Sequence, residues 1–236
     1  MSKLTFTEKS ILALVFIMIL VGYFLLYRNV DSFIVYTRED GVVEWLTVAG
    51  LMMGCIVCVR RFIRLRKFRH AWFLFVTLAL AFLLFFGSGE EISWGQRILG
   101  LKSPEYFLEE NTQKELNFHN LMVDGVKLNK VIFTFGLIGA LGIYLLVLPF
   151  LYRYSGKIRN LVDRSGVPLP RFYQVISILL MFTLTEFLWH GKKAEILEAD
   201  FALLFFLIIR YPGNAYMFRK DPVPSSQVSI SQASRA

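Results

Sequence analysis

Histidine, cysteine and charge are all scarce in this chain of 236 residues. It has three His, two Cys, and only 19% Asp, Glu, Lys and Arg together. Two cysteines cannot build a disulfide framework. So small a charged fraction beside 56% hydrophobic residues excludes a disordered protein. Proline is sparse as well, seven in all. A soluble chain of this length would be roughly 45–50% apolar; this one exceeds that, holds 23 Phe and has a mean hydropathy of +0.53. The hydrophobic residues gather into long uncharged runs, which make the chain an integral membrane protein and exclude a secreted globular enzyme.

A bilayer-spanning helix needs about 20 mostly apolar residues. Six segments qualify as spans, at 10–27, 41–59, 71–89, 131–152, 172–191 and 193–211. The expected fold is therefore all-α, a polytopic membrane helix bundle of about six transmembrane helices. It forms a single domain over 1–220, followed by a disordered cytoplasmic tail at 221–236. The sixth span has the poorest pattern, with Glu195, Glu198 and Asp200 in its first half and Arg210 near its end. The first run follows Lys3 and Lys9 but is too long for a signal peptide and lacks a cleavage site after Tyr27, so it reads as a retained anchor.

Lys and Arg set the orientation. Segment 60–69 holds six of them and segment 153–171 five; with the two ends of the chain, 17 of the 26 bases fall on one side. Both termini are expected in the cytoplasm, and the location is a bacterial cytoplasmic (inner) membrane. The formal charge of +8 is then an orientation signal, and no nucleic-acid partner is needed to explain it. The lipid bilayer is the partner that composition requires; no oligomeric state is assigned. The acids sort even more sharply. Of 18, all but Glu8, Asp163 and Asp221 lie toward the outer side, although acidic residues contribute little to orientation.

The outer connection at 90–126 carries capping signals. Ser103-Pro104-Glu105 reads as an N-cap, a first-turn proline and a first-turn acid, and Thr112-Gln113-Lys114-Glu115 fits a capping box opening a second short helix. Two amphipathic helices are expected there, lying on the outer surface.

Five segments bring ionisable groups to that outer level, where they are costly unless they face a partner or a wet cavity. Glu39, Asp40 and Glu44 open the second span, Glu90 and Glu91 end the third, and Glu115 and His119 lie in the connection. Glu186 and His190 end the fifth span, and Glu195 and Glu198 open the sixth. Helical spacing would put Glu186 with His190, Glu195 with Glu198, and Glu115 with His119 on shared faces. Converging carboxylates and imidazoles suit Zn, Fe or Mn ahead of Ca, or a general acid/base pair. The candidate catalytic residues are Glu90, Glu91, His119 and Glu186; the candidate metal ligands are Glu91, His119, His190, Glu195 and Glu198. Each also has a plain structural reading. Glu115 can be a capping-box acid, Glu39 and Asp40 solvated turn residues, and Glu195, Glu198 and Asp200 complements to a helix N-terminus paired with Lys192 or Lys193. Arg97 can neutralise Glu90 or Glu91. Cys55-x-x-Cys58, inside an apolar helix, reads as packing, as do Gly50-x-x-x-Gly54 and the glycines 136, 139 and 142.

The string Gly89-Glu90-Glu91-Ile92-Ser93-Trp94-Gly95-Gln96-Arg97, with Glu39-Asp40-Gly41-x-x-Glu44-Trp45 before it and Glu115-x-Asn117-x-His119-Asn120 after it, resembles a family of uncharacterised bacterial multi-pass inner-membrane proteins. That resemblance implies location more than chemistry. The acidic start of an early helix followed by a glycine-rich helix end also resembles the alkaline ceramidases, membrane hydrolases with Ca- and Zn-binding residues, and so implies lipid hydrolysis. The chain departs from them in having Glu90-Glu91 where Ser and His would stand and no late His-x-x-x-His pair.

The expected function is thus a metal-dependent hydrolase or transferase acting on a lipid-linked substrate. The alternatives are a non-enzymatic assembly or interaction protein with a structural polar cap, and a cation or proton pathway.

Overall fold

The computed structural model describes residues 3–118, 120–123, 126–127 and 136–221. The fold is built from helices. Phe6–Arg28 (α1), Val42–Leu65 (α3) and Ala71–Glu91 (α4) are each long and apolar enough to cross a membrane, so the chain is a membrane protein. Short helices Val30–Tyr36 (α2), Gln96–Leu99 (α5) and Glu105–Glu110 (α6) lie between and after them. A two-residue antiparallel pair joins Met122–Val123 to Val126–Lys127.

The expected fourth span is described only from residue 136 onward. There it runs as Leu137–Gly142 (α7), a π-turn at Ile143–Val147 and Leu148–Tyr154 (α8). Gly156–Ser165 (α9) follows, then Phe172–Glu186 (α10) and Lys193–Arg210 (α11). The expected tail, beyond Asp221, lies outside the described residues.

Local chemistry starts these helices. Thr5 and Glu8 form a reciprocal capping box on α1, the Glu8 amide donating to Thr5 Oγ1 at 3.2 Å and the Thr5 amide to Glu8 Oε2 at 2.7 Å. The His70 side chain caps α4 through the Phe73 amide, and Ser155 caps α9 through Ile158.

The core is organised around α11, the expected span whose pattern is most interrupted by charge. Ten of its 18 residues are buried, including Leu203, Leu204, Leu207 and Ile208. In α4, a far more uniformly apolar helix, only six of 21 are buried, and Phe75, Phe82 and Leu83 are exposed. In a bilayer this ordering is physical, because lipid is as good a solvent for Phe as another helix is. The polar groups are the ones that must turn inward.

Small residues allow close contact. A Cβ on Gly50 would stand 2.8 Å from the Ala202 carbonyl carbon, and one on Gly54 would stand 3.2 Å from both Ile209 and Leu84, so α3 packs tightly on α11 as the G-x-x-x-G spacing predicts. For Gly139 and Gly142, a Cβ would meet no atom of the described residues within 4 Å. Cys55 and Cys58 are free and buried, packed with Ala81, Leu84 and Ile209.

Two local expectations are corrected. The second helix of the outer connection does not form. Asn111 instead accepts the Gln113 amide at 2.8 Å and donates to both the Asn117 carbonyl and side chain, an Asx turn that outcompetes the capping box at Thr112. Lys114 then sits at φ 60°, which a helix cannot hold. The fifth helix also stops at Glu186. The Phe187 and Leu188 amides bond tightly back to Leu184 and Thr185, leaving Glu186 and His190 on no common helical face.

Candidate functional site

Acids collect at one end of the bundle, where α3 begins, α4 ends and α11 begins. The sequence leaves α4 by an abrupt reversal. Ser93, Trp94 and Gly95 all adopt left-handed backbone, at φ 46°, 55° and 76°. For the two non-glycine residues this costs on the order of 1–3 kcal/mol each. The reversal folds the Trp94 ring onto Gly89, where a Cβ would stand 2.8 Å from the ring, and its indole N–H donates to Glu90 Oε1 at 2.7 Å. The other Glu90 oxygen accepts the Phe118 amide at 2.6 Å. Glu90, 4% exposed, thus ties the α4 end to the outer connection.

Arg97 is the hub. Its Nη2 bonds Glu44, its Nη1 reaches Glu115 Oε2 at 2.7 Å, and its Nε meets Asp40 Oδ2 at 3.0 Å. Asp40 also donates its amide to Glu44. Ser93 Oγ donates to Glu115 and accepts from Asn117 Nδ2 at 2.9 Å. Gln96 holds the same loop from below, accepting the Leu116 amide at 2.6 Å and donating to Ser103. Burial opposes the Arg97 charge, but the hydrogen bond to Glu115 and the charges of Glu44 and Glu115 outweigh it and hold its pKa above the ordinary arginine value. A forked guanidinium is suited to this, because it presents five donors in one plane.

The placement of the expected site residues follows from these bonds. Arg97 neutralises Glu44, Asp40 and Glu115, and touches only the main-chain carbonyl of Glu91, at 3.4 Å. Glu115 is an ion-pair partner and caps no helix. Glu39, expected in water, accepts from Gln113 at 2.7 Å. The carboxylate of Glu91 makes no hydrogen bond or ion pair among the described residues, and its charged neighbours are Glu195, Glu44, Glu90 and Arg97. Glu195 meets Lys192 at 3.4 Å, as its position at a helix start predicts. Glu198 is exposed.

Glu186 stands apart. Its side chain is 45% exposed and pairs with Lys193 at 2.7 Å. His190 Nδ1 accepts the Lys192 amide at 3.2 Å, and the ring packs edge-on against Phe33 at 5.5 Å, the arrangement of a structural histidine. His119 lies outside the described residues. Among the described residues, no group of three or more His, Cys, Asp or Glu side chains is arranged to hold a metal ion. An apolar cavity of about 180 Å³ opens at this end, lined by Tyr23, Leu26, Tyr27, Phe187, Leu188 and Trp189.

Sequence reasoning missed two features. One is Arg97 as the organiser of Asp40, Glu44 and Glu115. The signal was available, since Arg97 is the only base between Ala71 and Leu101. The other is Asp200, expected to complement a helix N-terminus. It is 1% exposed beside Thr185, and among the described residues neither of its oxygens nor Thr185 Oγ1 makes a hydrogen bond of ordinary geometry. Burial and then the Asp200 charge push the nearby Tyr36 phenol up to about 12.

The fold and this site define a helical membrane protein with an arginine-centred acidic cap. Comparison with protein-family models, curated proteins and solved structures finds no match, so its function has to be argued from these residues.

Proposed function

We propose that this chain is a six-pass protein of the bacterial inner membrane that docks a basic partner on its acidic outer end. The observation that carries the reading is the sharing of one guanidinium, Arg97, by Asp40, Glu44 and Glu115. These acids are fixed architecture, and α6, flanked by the Gln96–Ser103 and Asn111–Asn117 bonds, has Glu105, Glu109 and Glu110 exposed beside exposed Tyr106 and Leu108. An acidic surface interleaved with aromatic and aliphatic groups suits a Lys/Arg-rich segment with some apolar character.

Six passes agree with the alternating contacts. Glu8 of α1 meets Arg171 before α10, Tyr23 of α1 reaches Leu184 at the far end of α10, and Arg61 late in α3 bonds Ile209 late in α11. The bacterial inner membrane follows from the family resemblance, and the cytoplasmic termini from the basic end of the bundle. Single cysteines at Glu109→Cys and Lys157→Cys should label from opposite sides of the membrane; labelling from one side would overturn the topology.

The docking test uses the purified chain in zwitterionic nanodiscs and a fluorescent Lys/Arg-rich peptide. The combined Glu105→Gln, Glu109→Gln, Glu110→Gln protein should bind about tenfold more weakly than the wild type. Equal binding by the two would sink the docking reading.

A second reading, a metal-dependent hydrolase or transferase on a lipid-linked substrate, is favoured by one observation. Among the described residues the Glu91 carboxylate has no ion pair and stands near Glu44, Glu90 and Glu195 as well as Arg97, and such a group is available to a divalent cation or a proton. Equilibrium dialysis with Zn or Mn should then show bound metal that Glu91→Gln loses. No metal retained by the wild type would remove the metal-dependent form.

A further inference from the structure

The opposite end of the bundle holds an excess of positive charge that topology alone does not explain. An open cavity of about 470 Å³ is lined by Arg61, Arg64, Arg210, Arg219 and Lys220, with Phe218 among its apolar walls. Among the described residues no carboxylate lines it, and none of these five cations is in an ion pair. An orientation signal needs only exposed bases. Arg61 is 7% exposed, its guanidinium 3.8 Å from the centre of the Phe218 ring and bonded to the Ile209 carbonyl. Arg64 Nη2 donates to the Phe218 carbonyl at 2.8 Å. Arg61, buried against the Phe218 ring, and Arg64, an exposed residue that also lines the cavity, therefore hold the chain after α11 against the helix end.

Carbonyl groups and an aromatic face satisfy some of the N–H donors but supply no countercharge. A buried cation without one is expensive, and five around a single cavity repel one another. Guanidinium groups match the oxygens of a phosphate in geometry as well as charge. We infer that this cavity is a binding site for a phosphate group, carried either by an anionic phospholipid of the adjoining leaflet or by a soluble phosphate compound. The apolar wall of Phe218, Pro212 and Ala215 accommodates the carbon part of either.

The test measures ligand-induced thermal protection and affinity of the purified full chain in neutral detergent. The probes are short-chain phosphatidylglycerol, short-chain phosphatidylcholine and inorganic pyrophosphate. Two double variants serve, Arg64→Gln with Arg219→Gln in the cavity wall, and Arg66→Gln with Lys67→Gln, exposed bases of the same connection that do not line it. Phosphatidylglycerol or pyrophosphate should protect the wild type and the Arg66/Lys67 variant alike, and bind the Arg64/Arg219 variant about tenfold more weakly or worse. Protection by phosphatidylglycerol over phosphatidylcholine assigns the lipid source; protection by pyrophosphate alone assigns the soluble one. Equal weakening in both variants would reduce the effect to general surface attraction and overturn the site, as would no protection by any probe. Should the Arg64/Arg219 variant fail to fold, Lys220→Gln alone replaces it with the same expected direction.

Discussion

The two ends of the bundle handle charge in opposite ways. At the acidic end one base, Arg97, is surrounded by carboxylates from the start of α3 and from the outer connection, and Asp40, Glu44, Glu115, Ser93 and Asn117 are all bonded within that network. At the basic end Arg61, Arg64, Arg210, Arg219 and Lys220 surround a cavity with no acid in its lining among the described residues. The first arrangement is closed, with the charge balance internal and the bonds tying distant segments together. The second is open, with main-chain carbonyls and Phe218 holding the arginines in place while their charge remains to be met from outside. Local segregation of charge thus yields architecture at one end and a receptive surface at the other.

Breaking the hub should have the largest effect. Arg97→Met strands Glu44 and Glu115 together and is expected to cost about 3 kcal/mol, within the range for removing one partner of a buried pair. Thermal unfolding in detergent would measure it, and adding Glu44→Gln should recover part of the loss, because the two sites share one network. A loss below 1 kcal/mol (on the order of an exposed pair) would mean the acidic end is not held by Arg97.

Gly89→Ala comes next. Its methyl would press on the Trp94 ring, and overpacking of this kind costs about 1–3 kcal/mol. Tryptophan fluorescence should shift with it, since the indole would leave Glu90. An unchanged spectrum and stability would show that the reversal after α4 does not depend on that close approach.

At the basic end, Arg64→Gln removes one hydrogen bond to a carbonyl and should cost only about 1 kcal/mol. That small loss beside the large one at Arg97 is the contrast between an open and a closed arrangement. Smallest of all should be Glu186→Gln, which removes a half-exposed pair with Lys193 and is expected to change stability by roughly 0–1 kcal/mol. A larger loss would return Glu186 to the site from which its geometry separates it.

The helices show how much was legible beforehand. α1, α3 and α4 stand where their uncharged runs put them, because hydropathy is summed along the chain and needs no partner. α11 was the weakest by that measure and is the most buried, since its Glu195, Asp200 and Arg210 lower its hydropathy for the same reason that they keep it out of lipid. The site was half legible. Glu44, Glu90, Glu91 and Glu195 do share one end of the bundle, but the helical spacing expected to join Glu186 to His190 ends before it reaches His190, and the Asn111 turn prevents the helix expected at Glu115. Capping patterns describe what a segment does alone; the hydrogen bonds of Asn111, Ser93 and Gln96 decided otherwise.

By itself the sequence determined that the chain lives in a membrane, that the runs of α1, α3 and α4 are long and apolar enough to cross it, and that bases crowd segment 60–69 while acids crowd the connection after α4. All three depend on composition over contiguous stretches. Only the tertiary structure decided that Arg97 belongs to Asp40, Glu44 and Glu115, that α11 lies at the centre, and that five cations share one cavity. These depend on which residues far apart in the chain approach within a hydrogen bond, and that is set by packing of the whole bundle.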